Sequence, residues 1–142
     1  MLWYCDEPNM EQFTREHEDD AGFDIATSTN VAILDKGQVT IPTGLHVAIP
    51  KDHVGIIKPR SGLSKRLGTD ALAGVVDAGY RGEVMVVLTV RKPPVYFKRG
   101  DKIAQMIIVK RYMGEVTRAN SLEELGETDR GDNGFGSTGG IQ

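Results

Sequence analysis

Apolar and polar residues alternate along much of the chain with a period of two. Val39, Ile41, Leu45, Val47 and Ile49 occupy odd positions across 39–49, the pattern of half-buried strands, broken at Pro42-Thr43-Gly44. Val84, Val86, Leu88 and Val90 repeat the period, and Met85 and Val87 make the opposite face apolar too. Such a strand calls for cover on both faces, from its own chain or from a neighbouring subunit. Apolar runs at 54–57, 72–76 and 103–109 complete the series. Glycine and proline punctuate them at Gly37, Gly44, Pro50, Gly68, Gly79, Pro93-Pro94 and Gly100. This predicts an all-β sandwich or barrel. Helix is confined to a short stretch at 61–66, N-capped by Ser61 or an adjacent residue, and to a turn at 121–125.

Composition sharpens this picture in a few places. Thirteen Val and 10 Ile against 9 Leu favour sheet over helix. A length of 142 residues suits one ordinary domain. With 17 Lys+Arg against 20 Asp+Glu, the net charge of −3 argues against a broad nucleic-acid surface. Any phosphate must be held locally. No apolar run is long enough for a membrane span. The start of the chain is acidic, without the basic and apolar regions of a signal peptide. The single Cys5 excludes a disulfide framework within the chain and a Cys-rich zinc site, which fits a reducing cytoplasm. Residues 1–126 read as one β domain and 127–142 as a glycine-rich arm too poor in apolar side chains to order itself. Residues 1–19 match no pattern; Trp3, Tyr4 and Phe13 would either cover an edge or fray.

Five segments offer chemistry. Asp24, in Asp20-Ala21-Gly22-Phe23-Asp24-Ile25, is an acid between apolar strand positions and needs a partner or a cation. In Lys58-Pro59-Arg60-Ser61-Gly62-Leu63 a guanidinium, a hydroxyl and backbone N–H groups gather where a helix begins, donors well matched to phosphate oxygens. In the third, Asp77 closes an apolar strand and Tyr80 follows the Ala78-Gly79 turn. A carboxylate at a rigid strand end can orient and deprotonate a water, although Asp before a turn is also an ordinary Asx-turn residue. The fourth places a hairpin turn at 99–102 ahead of Gln105, which needs a hydrogen-bonding reason to sit inward in an apolar strand. The Arg-Gly-Asp triplets at Arg99 and Arg130 are too short to signal adhesion. The fifth, 130–139, combines Arg130, Phe135, Gly136, Ser137 and Thr138 with further glycines: a phosphate partner, a stacking ring, hydroxyls and a backbone able to wrap an anion. It lacks the Gly-Lys-Ser/Thr ending of a P-loop.

In this order and spacing, AGFDI, PRSGL, AGVVDAGYRGEV, RGDKIAQMI and RGDNGFGSTG resemble the homotrimeric all-β deoxyuridine triphosphate nucleotidohydrolases, the dUTPases. The matches run from Ala21 to Gly139. The resemblance implies a jelly-roll-like β-sandwich or distorted barrel with one short helix, a flexible C-terminal arm and active sites shared between three subunits. The implied reaction is hydrolysis of dUTP to dUMP and pyrophosphate with Mg²⁺. Asp77 would be the general base for water attacking the α-phosphorus. Gly74, Val75 and Val76 would read uracil through the backbone, with Tyr80 under the deoxyribose. Arg60, Ser61, Gly62 and Gln105 would hold the phosphates, joined by Arg130, Ser137 and Thr138 from the arm, with Phe135 stacking on the base and Gly136 also in the substrate site. Asp24 would touch the metal through water. Several relatives carry an Asn near the uracil hairpin where this chain reads Asp70-Ala71-Leu72. The alternatives are a dCTP deaminase-like enzyme, for which Glu83 is the only nearby base, and a nucleotide-bound regulatory module on the same fold.

Overall fold

The computed structural model describes residues 1–136 and Gly139. In chain order the strands are β1 (Leu2–Cys5), β2 (Gly22–Ala26), β3 (Val31–Ile33), β4 (Gly37–Ile41), β5 (Leu45–Ala48) and β6 (His53–Pro59). The helix α1 (Ser61–Leu67) follows, then β7 (Asp70–Leu72), β8 (Val75–Val76), β9 (Val86–Val90), β10 (Val95–Phe97) and β11 (Lys102–Lys110). The strands form four antiparallel sheets, ordered β2-β11-β6-β8, β4-β9-β7, β1-β5 and β10-β3. These are layered sheets and not a closed barrel, as the jelly-roll-like expectation allowed. All the strands lie in a unit spanning Met1–Tyr112; a second unit, Met113–Gln142, carries one 3₁₀ turn at Glu123–Leu125.

The two-residue period does what it predicts. Ile41, Leu45, Val47 and Ile49 are buried, as are Val86, Leu88 and Val90 on β9. On the other face of that segment Val87 is half-buried and Met85 exposed, so the single chain leaves this second apolar face partly open. Ile25, Ile103 and Met106, from the β2–β11 pair, complete the interior.

Two expectations change, and one left open is decided. Of the alternatives for the start of the chain, β1 covers an edge by pairing with β5, setting Trp3 opposite Val47. Phe13 is buried against Phe23 at 4.6 Å between ring centroids, and the Arg15 guanidinium lies over the Phe23 ring, 4.1 Å from its centroid. Gln12, 2% exposed, fixes this segment: its Nε2 donates to the carbonyls of Ala26 and Thr43, both at 2.9 Å, and its Oε1 accepts from Ala26 N at 2.7 Å. The apolar run 72–76 is two strands in different sheets, since Ala73 adopts φ 50° and turns the chain from β7 to β8. The turn at 99–102 is a corner rather than a hairpin, because β10 pairs with β3 while β11 pairs with β2 and β6. Thr27 donates to the Asp101 carbonyl and accepts from Gly100 N, which fastens that corner in place.

Candidate active site

Two clefts collect the predicted residues in the strand-bearing unit. The first, of about 350 Å³, lies where β6 runs into α1 and is lined by Asp24, Arg60, Ser61, Gly62, Arg66 and Gln105, with Glu16 and Asp20 also on its wall. Pro59 ends the strand and Arg60 takes the N-cap position with extended backbone, making no side-chain cap bond. Ser61 is thus the first helical residue rather than the cap. Asp24, 15% exposed in its side chain, has found its partners: Arg60 Nε at 3.1 Å and Lys102 Nζ at 3.2 Å. The pair holds the Arg60 guanidinium at the cleft wall. Gln105, opposite Asp24 across the β2–β11 ladder, donates from Nε2 to the Pro59 carbonyl at 3.1 Å. A Cβ on Gly22 would lie 2.5 Å from Gln105 Oε1, so the glycine of AGFDI makes room for this side chain. At Gly62 a Cβ would meet no chain atom within 4 Å. The fold itself does not demand a glycine there.

The second cleft, of about 290 Å³, is lined by Ile57, Ala73, Val75, Val76, Asp77 and Tyr80, with Glu83, Val84 and Met85 beyond. β8 pairs with β6, and Ile57 N donates to the Gly74 carbonyl at 2.7 Å. A Cβ on Gly74 would come within 2.7 Å of the Ile57 oxygen, so only glycine permits this approach. Asp77 directly follows β8 and is exposed. A backbone bond from Tyr80 N to the Asp77 carbonyl closes the turn, and Tyr80 Oη donates to the Glu83 carbonyl at 2.8 Å. Glu83 Oε1 accepts from Thr43 N at 3.0 Å and Gly44 N at 2.9 Å, tying this loop to the β4–β5 turn.

Arg60, Ser61, Gly62, Gln105 and Asp24 are therefore brought together, and so are Val75, Val76, Asp77 and Tyr80, but the two groups line separate clefts with no residue in common. In the second unit, Arg130 Nε donates to the Asn133 carbonyl at 2.9 Å, and Phe135, at φ 48°, is fully exposed beside Gly136. Ser137 and Thr138 lie outside the described residues. Lys102 as a partner of Asp24 and Glu83 as a backbone clamp were not anticipated; both act across strands distant in sequence, where no local pattern marks them. Among the described residues no three His, Cys, Asp or Glu side chains converge to hold a metal ion, and none of the helices is long and apolar enough to cross a membrane.

The sequence model of the dUTPase family matches residues 8–139. The chain belongs to the dUTPase family. It is 42% identical over 133 residues to a deoxyuridine 5'-triphosphate nucleotidohydrolase of Mycolicibacterium vanbaalenii, covering 89% of this chain and 86% of that one. To the enzyme of the same name from Mycobacterium leprae it is 41% identical over 140 residues, 94% and 91% of the two chains. Among solved structures, the dUTPase of Staphylococcus bacteriophage 80alpha with dUPNHPP superimposes with a TM-score of 0.83 at 25% identity, covering 97% of each chain. The dUTPase of phage phi11 of S. aureus, in a structure describing coordination of a structural Mg(II) ion, gives 0.77 at 24% identity, over 86% of this chain and 97% of that one. Family membership and fold thus agree with the layered sheets.

Proposed function

We propose that the protein hydrolyses dUTP to dUMP and pyrophosphate, with Asp77 as the general base for water attacking the α-phosphorus. The observation that carries this reading is the end of β8. An exposed carboxylate leaves a strand pinned to β6, in the same cleft as Tyr80 and the Val75-Val76 backbone. Asp77 takes the proton as the water oxygen bonds to phosphorus, and the bond from the α-phosphorus to the bridging oxygen breaks with release of pyrophosphate. Gly74, Val75 and Val76 read uracil, and Tyr80 lies under the deoxyribose. Arg60, Ser61, Gly62 and Gln105 hold the phosphates and offset the charge that develops on the leaving group.

Mg²⁺, bound with the triphosphate, would offset part of its negative charge. Asp24, committed to Arg60 and Lys102, would face that ion through water, as the strongly hydrated ion allows. The phosphate donors and Asp77 lie in separate clefts of one chain. That separation and the open face of β9 support a homotrimer whose sites combine residues of neighbouring chains. Arg130, Phe135, Gly136, Ser137 and Thr138 of an arm would then close over the nucleotide and exclude water. We place the protein in the cytoplasm, in keeping with its lone Cys5.

A deaminase on this scaffold would need Glu83 as its base, but that carboxylate is engaged by the Thr43 and Gly44 amides. Asp77→Asn should lower kcat for pyrophosphate release about a thousandfold while dUTP still binds. Undiminished release by that variant would remove Asp77 from the role.

A further inference from the structure

His46, on β5, joins two parts of the fold that the hydrolytic reading leaves unused. Its Nδ1 lies 2.8 Å from the Arg81 carbonyl oxygen, and its Nε2 lies 2.9 Å from Asp6 Oδ2. Arg81 belongs to the 77–83 loop, between Tyr80 and Gly82, and Asp6 directly follows β1. Both ring nitrogens face oxygen acceptors. Only the imidazolium satisfies both, because a neutral ring has one N–H and would turn a lone pair toward the other oxygen.

The surroundings favour that charge. The bond to the Arg81 carbonyl, then the bond to Asp6, hold the His46 pKa above the ordinary imidazole value; Glu83 adds to this, and partial burial opposes it. The Tyr4 ring, on β1, faces the imidazole at 6.0 Å. The like charge of Arg81 is turned onto the Ala78 and Tyr80 carbonyls, at 2.7 and 2.9 Å from Nη1. Arg81 therefore connects the His46 contact to the backbone of Tyr80.

We propose that protonated His46 is a positioning residue for the nucleoside cleft, anchoring the 77–83 loop through the Arg81 carbonyl to Asp6 and the β1–β5 pair, and so setting Tyr80 beneath the sugar. This role rests on the reading of that cleft given above. As pH rises through the raised imidazole titration, one contact is lost and the loop slackens. KM for dUTP should rise about three- to tenfold, the effect of losing one such hydrogen bond. The kcat should move less, because Asp77 leaves a strand fixed by β6.

The direct test is an NMR titration of the three histidines in the full chain, with and without saturating dUMP. Coupling between sites is reciprocal, so dUMP should carry the His46 midpoint to higher pH. An unmoved His46 midpoint with dUMP bound overturns the role and leaves the nucleotide reading intact; no dUMP binding overturns both. In kinetics His46→Gln should hold KM at the wild-type high-pH value throughout, and Asp6→Asn should move the inflection to lower pH. A His46→Gln enzyme with the wild-type KM profile overturns the proposal.

Discussion

Asp77 and Tyr80 lie three residues apart on one turn, yet their proposed roles separate in kinetics. The Asp77→Asn change should act on kcat alone. Tyr80→Ala should relax discrimination between dUTP and UTP by about tenfold in kcat/KM, since a steric platform under the sugar is lost; unchanged selectivity would place the sugar elsewhere. A Cβ on Gly82 would collide with Tyr80 Oη, so Gly82→Ala should displace the ring and relax selectivity in the same direction. Asp77, Tyr80 and Gln105 stand out in the sequence as a carboxylate closing a strand, a ring after a turn and an amide in an apolar strand, and Arg60 as a cation where a strand gives way to a helix. Glu83, Lys102 and His46 do not. Their partners, Thr43, Asp24 and Asp6, are distant in sequence, and nothing local distinguishes them from solvated surface charges.

Among the elements, alternation identified β4, β5 and β9 because one face of each is buried, and a period of two is the direct imprint of that burial. It failed at 72–76, where β7 and β8 read as one apolar run. The break depends on Ala73 at positive φ and on the Gly74 approach to Ile57, and a turn made by Ala carries none of the usual turn chemistry. Gly74→Ala should therefore lower stability by about 1–3 kcal/mol, the range for forcing atoms into filled space, and raise KM for dUTP by loosening the β6–β8 pairing proposed to read uracil. Denaturant unfolding and steady-state kinetics would read the two effects; a stable variant with unchanged KM would refute that geometry. The N-terminal segment escaped notice for a related reason: Gln12 is polar in sequence and buried in the fold, satisfied by backbone groups of Ala26, Thr43 and Phe13. Gln12→Leu should cost about 2–4 kcal/mol, from carbonyls and amides left buried without partners. A midpoint within experimental error of wild type would contradict that.

For the whole molecule, the five ordered segments pointed to the family, whereas composition alone gave only a β domain with a glycine-rich end. How the arm is used belongs to the proposed trimer. Truncation before Arg130 should slow turnover while leaving the assembly intact, as judged by light scattering. If the arm of one chain closes on the Asp77 of another, Asp77→Asn subunits mixed with truncated subunits should regain activity that neither has alone. No recovery would mean that each arm serves its own chain.

The most direct measurement is hydrolysis of dUTP in heavy-oxygen water with the products analysed by mass. Water activated by Asp77 and attacking the α-phosphorus must leave the label in the phosphate of dUMP. Label recovered in pyrophosphate would place the attack on the β-phosphorus and contradict the mechanism.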